Sequence, residues 1–204
     1  MSHDDPRTFW DERFNQTEYY YGKLPNDFLK AQAKVFPRGG QLLSLGEGEG
    51  RNAVFMAQQG YEVTALDSAP AGLDKTQQLA KEKQVTVTPL LAHLKYYEFE
   101  PQAWDGVINI FCHVPAAVRR KIHQNLAFTL KQGGIFLMEA YTPEQLEYGT
   151  GGPKNIDLLY DPDTIRQELQ GLELLHFEKV ERNIVEGIGH DGPSSVLQVI
   201  ARKN

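Results

Sequence analysis

A single cysteine, Cys112, stands in 204 residues, which excludes an intramolecular disulfide. No apolar run comes near the ~20 residues that cross a bilayer, and no charged, apolar and small-residue succession of a secretory signal opens the chain. The expectation is a protein of the reducing cytoplasm with no membrane partner. Positive charge is also scarce: Lys and Arg number 21 against 27 Asp and Glu, a net charge of -6. A nucleic acid is normally met by a basic face. The one basic cluster, Arg119-Arg120-Lys121, reads as a solvated helix face, so nucleic acid is set aside as a partner. His, Cys and Asp never recur at metal-ligand spacing, so no metal is expected. What remains is one globular domain, monomer or homodimer, large enough to bury a core without staples.

The pattern that is present changes character along the chain. Residues 1–40 read as a helical cap. Asp5 is placed to cap a helix that starts at Pro6 and repeats Phe9, Trp10, Arg13 and Phe14 at helical spacing, and a second helix is predicted over 26–36, stopped by Pro37. From 41 to 140 strand and helix alternate, with strands predicted at 41–45, 62–66, 86–91, 106–111 and 134–140 and helices at 51–59, 71–83 and 116–131. Such alternation argues for a doubly wound α/β core. Residues 141–160, rich in Gly, Pro and Tyr, are long for an internal connection and read as a lid-like loop. Residues 161–204 supply a helix over 162–170 and two strands that a short glycine turn must pair antiparallel. The fold class is therefore a seven-stranded, mostly parallel sheet, its last strand antiparallel, under an N-terminal helical cap.

Chemistry concentrates in "LLSLGEGEGRNAVFMAQQGYEVTALD", from Leu42 to Asp67. A strand that feeds a glycine turn and then a helix presents bare backbone and a helix N-terminus to a ligand. The dinucleotide fingerprint G-x-G-x-x-G needs glycine where Arg51 stands; the glycines are Gly46, Gly48 and Gly50. A P-loop is excluded because no Gly-Lys-Ser/Thr follows. Asp67 closes the next strand, where a carboxylate accepts the hydroxyls of a ribose; taken alone it would serve equally well as a helix cap.

That stretch, with "WDGVINIFCHVP" and "LKQGGIFLMEAYTPEQLEYGTGG", resembles the class I S-adenosylmethionine-dependent methyltransferases, and within them the tellurite-resistance and thiopurine methyltransferase-like group. The resemblance implies S-adenosylmethionine as cofactor and transfer of its methyl group to a small-molecule acceptor: a thiol, an amine, or a selenite- or tellurite-like oxyanion. It matches Ala92-His93-Leu94 to the segment that brackets the adenine, Phe111 to the position beside the sulfonium, and Trp10 and Tyr21 to aromatic residues of the cap. The chain departs from the group in carrying Ser44 and Glu47 where an Asp and a Cys are common, so Glu47 or Glu49 is expected to supply the missing charge. Two alternatives stay open, a non-catalytic S-adenosylmethionine-binding sensor or scaffold and an NAD(P)-dependent oxidoreductase.

In a doubly wound sheet ligands lie at the carboxyl ends of the strands. That edge collects Leu45, Gly46, Glu47, Gly48, Gly50 and Asn52 after the first strand, Asp67 and Ser68 after the second, His93 and Leu94 after the third, Phe111 and His113 after the fourth, and Tyr141 after the fifth. His190 joins them if the penultimate strand runs parallel to its neighbours. His113, His190 and Tyr141 are the catalytic candidates. The two histidines are the best-placed bases for a protonated acceptor, with Glu139 a weaker one.

Overall fold

A computed structural model of the protein describes residues 6–204. The cap comprises α1 (Pro6–Phe14), α2 (Asp27–Gln32) and a 3-10 turn (Ala33–Val35). Asp5, expected to cap α1, lies outside the described residues. The predicted 26–36 helix is shorter than its pattern: Asn26 caps α2 by accepting the Leu29 N–H at 2.9 Å, and the chain tightens to 3-10 geometry after Gln32. The alternating part follows as β1 (Gln41–Leu45), α3 (Arg51–Gln58), β2 (Glu62–Asp67), α4 (Pro70–Glu82), β3 (Val87–Leu91), β4 (Trp104–Ile110), α5 (Ala116–Thr129) and β5 (Leu130–Tyr141). Then come α6 (Gln145–Tyr148), a 3-10 turn (Ile156–Leu158), α7 (Pro162–Glu168), β6 (Glu173–Val185) and β7 (Asp191–Arg202).

The seven strands form one sheet in the order β3-β2-β1-β4-β5-β7-β6. β7 is antiparallel to both neighbours, so β6 runs parallel to β5 and its turn at 186–190 reaches the same edge as the ends of β1 to β5. β1 is central, and its near-continuous apolar run reflects burial on both faces. Successive residues face opposite layers: Leu43 and Leu45 pack with Val107, Phe136 and Met138 under α5 and α7, while Leu42 packs with Ile108 and Leu137 under α2, α3 and α4.

Two expectations change. β5 starts at Leu130 rather than 134: Leu130 pairs with Trp104, the chain bulges through 131–134, where Gly133 has φ 74°, and regular pairing resumes with Ile135 opposite Gly106. Arg119 is not solvated; it is buried and reaches both oxygens of Glu168 at 3.2 Å, and His123 pairs with the same carboxylate at 2.7 Å. The 141–160 segment, expected as a lid-like loop, is hydrogen-bonded at its ends and to β7. The Tyr160 N–H donates to Tyr141 O at 2.9 Å, and the Gln145 side chain accepts from Ser195 N at 2.9 Å and donates to Thr150 Oγ1 at 3.0 Å.

What seats the cap on the sheet is a buried polar network. Glu139, at the end of β5, accepts from Arg182 Nε at 2.9 Å and Nη2 at 2.7 Å, from Gln198 at 2.7 Å and from Asn26 Nδ2 at 2.5 Å. Asn26 also donates to Glu186 at 2.9 Å, and Glu186 holds Arg51 of α3 at 2.6 Å. A buried ion pair costs most when one partner is removed, because the other charge stays behind in a poor solvent. Glu139→Ala is therefore expected to lower the unfolding free energy by about 3–5 kcal/mol, read from urea denaturation; a loss below about 1 kcal/mol would show that water reaches Arg182.

Candidate functional site

The turn after β1 lies between β1 and β4, where the order of strands reverses, so it faces the crevice that a doubly wound sheet leaves open at its carboxyl edge. Gly46, Gly48 and Gly50 have φ of 58°, 65° and 90°, a region that side chains disfavour. Space forbids side chains too: a Cβ on Gly46 would meet Cys112 Sγ, and one on Gly48 would stand 3.0 Å from the Phe14 ring. Asp67 spans the turn from β2, its two oxygens accepting from Gly48 N and Ala69 N, each at 2.8 Å. Burial lifts Asp67 above the usual carboxylate range, opposed by the N–H groups of Ala69, Gly48 and Ser68.

Several nominated residues are committed elsewhere. Glu47 turns into α3, accepting from Asn52 N at 3.0 Å and Ala53 N at 2.8 Å while Ser44 donates to its other oxygen; it caps the helix. Burial pushes its carboxyl pKa up despite these bonds. Glu49 pairs with Lys75 at 2.7 Å and accepts from Tyr21 N at 3.3 Å. Neither carboxylate is free for the charge role expected of it. Asn52 accepts from Asn26 N at 2.9 Å and so serves the cap, and His93 accepts from Lys95 N at 3.1 Å in its own turn. Leu45 and Leu94 are core residues, and Ser68 is half-buried beside Asp67.

Beyond the turn, rings converge. His190 packs 4.5 Å from Tyr21, 4.5 Å from Phe111 and 5.4 Å from Tyr141, and Phe111 lies 4.6 Å from Tyr141. Trp10 sits farther out, stacked on Phe14 at 5.4 Å and 6.3 Å from Tyr21. Phe111 leaves β4 with φ 52°, strained for a residue with a side chain, and is held there by its N–H on Glu139 O at 2.8 Å. Gly151 and Gly152 press against Tyr141 and His190: a Cβ on Gly152 would stand 2.6 Å from the Tyr141 ring. Tyr141 Oη and His190 Nδ1 are buried with no hydrogen-bond partner. Burial raises the Tyr141 pKa, so the phenol keeps its proton and acts as a donor, not a base. Two open hollows, of about 280 and 180 Å³, lie around Arg120 and around Asn15; the second is bordered by Phe14, and neither is lined by Tyr21, Phe111, Tyr141 or His190.

His113 has both ring nitrogens occupied, Nδ1 by Leu158 O at 2.8 Å and Nε2 by the Tyr141 N–H at 3.3 Å, so it braces the edge and has no lone pair to spare. Arg51, Arg182, Glu186 and Asn26 were missed in the sequence. The signal was there in "ERNIVEGIGH": Arg182 and Glu186 share the face of the buried Ile184, an inward placement that charged residues take only when paired.

Burial brings the His113 pKa down to about 4, outweighing the hydrogen bond that Nδ1 donates to Leu158 O, with His190 and Arg119 adding to the fall. The unfolded ring titrates at its ordinary 6.5. Between those values the unfolded chain binds the proton and the folded one does not, so stability is lost as pH falls from 6.5 towards 4. His113→Gln is expected to reduce that loss by roughly 2–4 kcal/mol, measured by urea unfolding at pH steps across the window; an unchanged slope would show that the ring is protonated in the folded protein.

Residues 42–134 match a family model described as a methyltransferase domain. The tRNA 5-carboxymethoxyuridine methyltransferase of Escherichia coli strain K12 is 26% identical over 126 residues, 60% of this chain and 48% of that protein. The chain thus spans about half the length of the curated relatives it matches. Among solved structures, TehB from Haemophilus influenzae superposes with a TM-score of 0.69 at 16% identity, over 97% of this chain and 67% of that one. A protein solved for the conversion of a disulfide bond into a thioacetal group during echinomycin biosynthesis superposes at 0.79 with 15% identity, over 98% and 92% of the two chains. These likenesses carry the fold, and the model match covers the glycine turn, Asp67 and the end of β4. Residues 42–134 thus match a methyltransferase domain, and the sheet that carries them has the fold of these solved structures.

Proposed function

We propose that the protein transfers a methyl group from S-adenosylmethionine to a small-molecule acceptor. One convergence supports this above all: the glycine turn beside Asp67 meets, at one sheet edge, a buried ring cluster in which Tyr141 Oη and His190 Nδ1 lack partners. The residues present fit the cofactor. Gly46, Gly48 and Gly50 would take it against bare backbone, Asp67 would accept its ribose hydroxyls, and the 93–94 segment would border its adenine. Phe111 would face the sulfonium, with Tyr21 and Trp10 as aromatic roof. When bound, the cofactor supplies an electrophilic methyl carbon: the acceptor lone pair forms the new bond and the carbon–sulfur pair stays on sulfur. The chain's share is to align the acceptor and keep water out.

A small acceptor suits the net charge of -6 and a ring cluster shut in by Tyr21 and the glycines at 151–152. The tRNA named for the Escherichia coli relative belongs to that protein. Phe14 covers Gly48, so the cofactor would enter by displacing part of the cap. An NAD(P)-dependent oxidoreductase is disfavoured by Arg51, which stands at the third fingerprint position and is held by Glu186.

A thermal-shift screen separates these functions. S-adenosylmethionine and S-adenosylhomocysteine are expected to raise the melting temperature while NAD and NADP do not, and S-adenosylhomocysteine should then accumulate with an acceptor; binding without turnover across thiol, amine, hydroxyl and metalloid acceptors favours a sensor. Asp67→Ala is expected to weaken S-adenosylmethionine binding more than about tenfold, from hydrogen bonds worth about 1.5–3 kcal/mol. Unchanged affinity by calorimetry in a folded variant removes Asp67 from the site.

A further inference from the structure

We propose that Glu186 positions His190 as the base of the acceptor site, and that the acceptor arrives with a proton on its reacting atom, as an alcohol, phenol, thiol or amine does and a metalloid oxyanion does not. This rests on the methyl-transfer function proposed above. Glu186 and His190 open and close the turn between β6 and β7, joined through the Glu186 N–H on His190 O at 2.7 Å. Their side chains face each other with Nδ1 3.7 Å from Glu186 Oε2, just beyond a hydrogen bond. The His190 ring is clamped between Tyr21 and Phe111, so a small pivot is the motion left to it, and that pivot closes the Nδ1–H bond to Glu186. Nε2 then carries the free lone pair. Glu186 is itself immobilised by Arg51 at 2.6 Å, Asn26 at 2.9 Å and Arg182 at 3.3 Å. This is the arrangement of a base with its orienting carboxylate.

The surrounding charges favour the same assignment. Arg51 from α3 and Arg182 from β6 are paired with Glu186 and Glu139, two cations against two anions, and Arg13 of α1 is engaged by the Tyr20 face and the Tyr21 phenol. On the cap side stands the Tyr21 phenol, which burial pushes up to about 12 and Arg13 opposes; on the sheet side stand the Tyr141 phenol and the neutral His113. Burial lowers the His190 pKa against the pull of Glu186, so the resident form is the neutral ring that can take a proton. In the transfer, the acceptor atom gives its proton to Nε2 as its lone pair bonds the methyl carbon, Glu186 faces the resulting imidazolium, and solvent later removes the proton.

Two measurements test this. His190 is titrated by NMR in the free enzyme, its signal assigned by its loss in His190→Gln. Glu186→Gln is expected to lower the midpoint by roughly one pH unit and Glu186→Asp to restore most of it. With a protic acceptor from the screen, His190→Gln should lower kcat about 100-fold or more while cofactor affinity by calorimetry changes less than about threefold. The acid limb of kcat should follow the NMR midpoint in the Glu186 variants. A midpoint unmoved in Glu186→Gln, or in Glu186→Asp should the first variant not fold, overturns the pairing. So does an acid limb of the wild-type kcat that fails to coincide with the His190 midpoint, or faster methylation of selenite or tellurite than of any protic acceptor. Failure of S-adenosylmethionine to bind the wild type would instead overturn the function beneath it, leaving the titration to judge the pair.

Discussion

The clamp of Arg182 on Glu139 is the constraint on which the working edge depends. Glu139 is fully buried at the end of β5, and without a guanidinium against both oxygens its charge could not be kept in that medium. Once paired, the two become fixed points for everything nearby. Asn26 hangs the second cap helix from Glu139, Gln198 ties in β7, and Glu186 links the hairpin to Arg51 at the start of α3. Five elements, α2, α3, β5, β6 and β7, are held to one another at the edge where the glycine turn opens. Burying these charges gains little net stability, but their directional bonds set where each segment sits.

The ring cluster inherits its geometry from that frame. Phe111 is held in a left-handed conformation by the backbone of Glu139, a strain of about 1–3 kcal/mol that sets its ring against His190 and Tyr141. His113 spends both nitrogens on holding the ends of the 141–158 segment, which explains why a histidine placed well by topology has no lone pair left for chemistry. The loop that composition suggested as a lid is hydrogen-bonded to β7 and brings Gly151 and Gly152 against the rings. Mobility is better sought in the cap, since the Phe14 ring lies over the turn that a ligand must reach.

Much of this was legible in the chain itself. The alternation from Gln41 onward specified strand and helix because apolar side chains must meet a core at period 2 or 3.6, and the central strands came out within a few residues of expectation. The glycine spacing and Asp67 likewise marked the turn and the carboxylate beside it, because positive φ and close packing exclude side chains there. Only tertiary structure decided what the polar residues at that edge do. Glu47 and Asn52 were nominated as ligand groups, yet helix α3 and the cap claim their hydrogen bonds; His113 was nominated as a base, yet two backbone groups more than 25 residues away occupy it. Arg51 registered only as the residue that breaks the dinucleotide fingerprint, and the inward alternation of Arg182 and Glu186 did not name their partners. A buried charge is permitted only by groups that folding brings from elsewhere, so the identity of the site's polar residues was determined by pairing across the sheet and not by any local pattern.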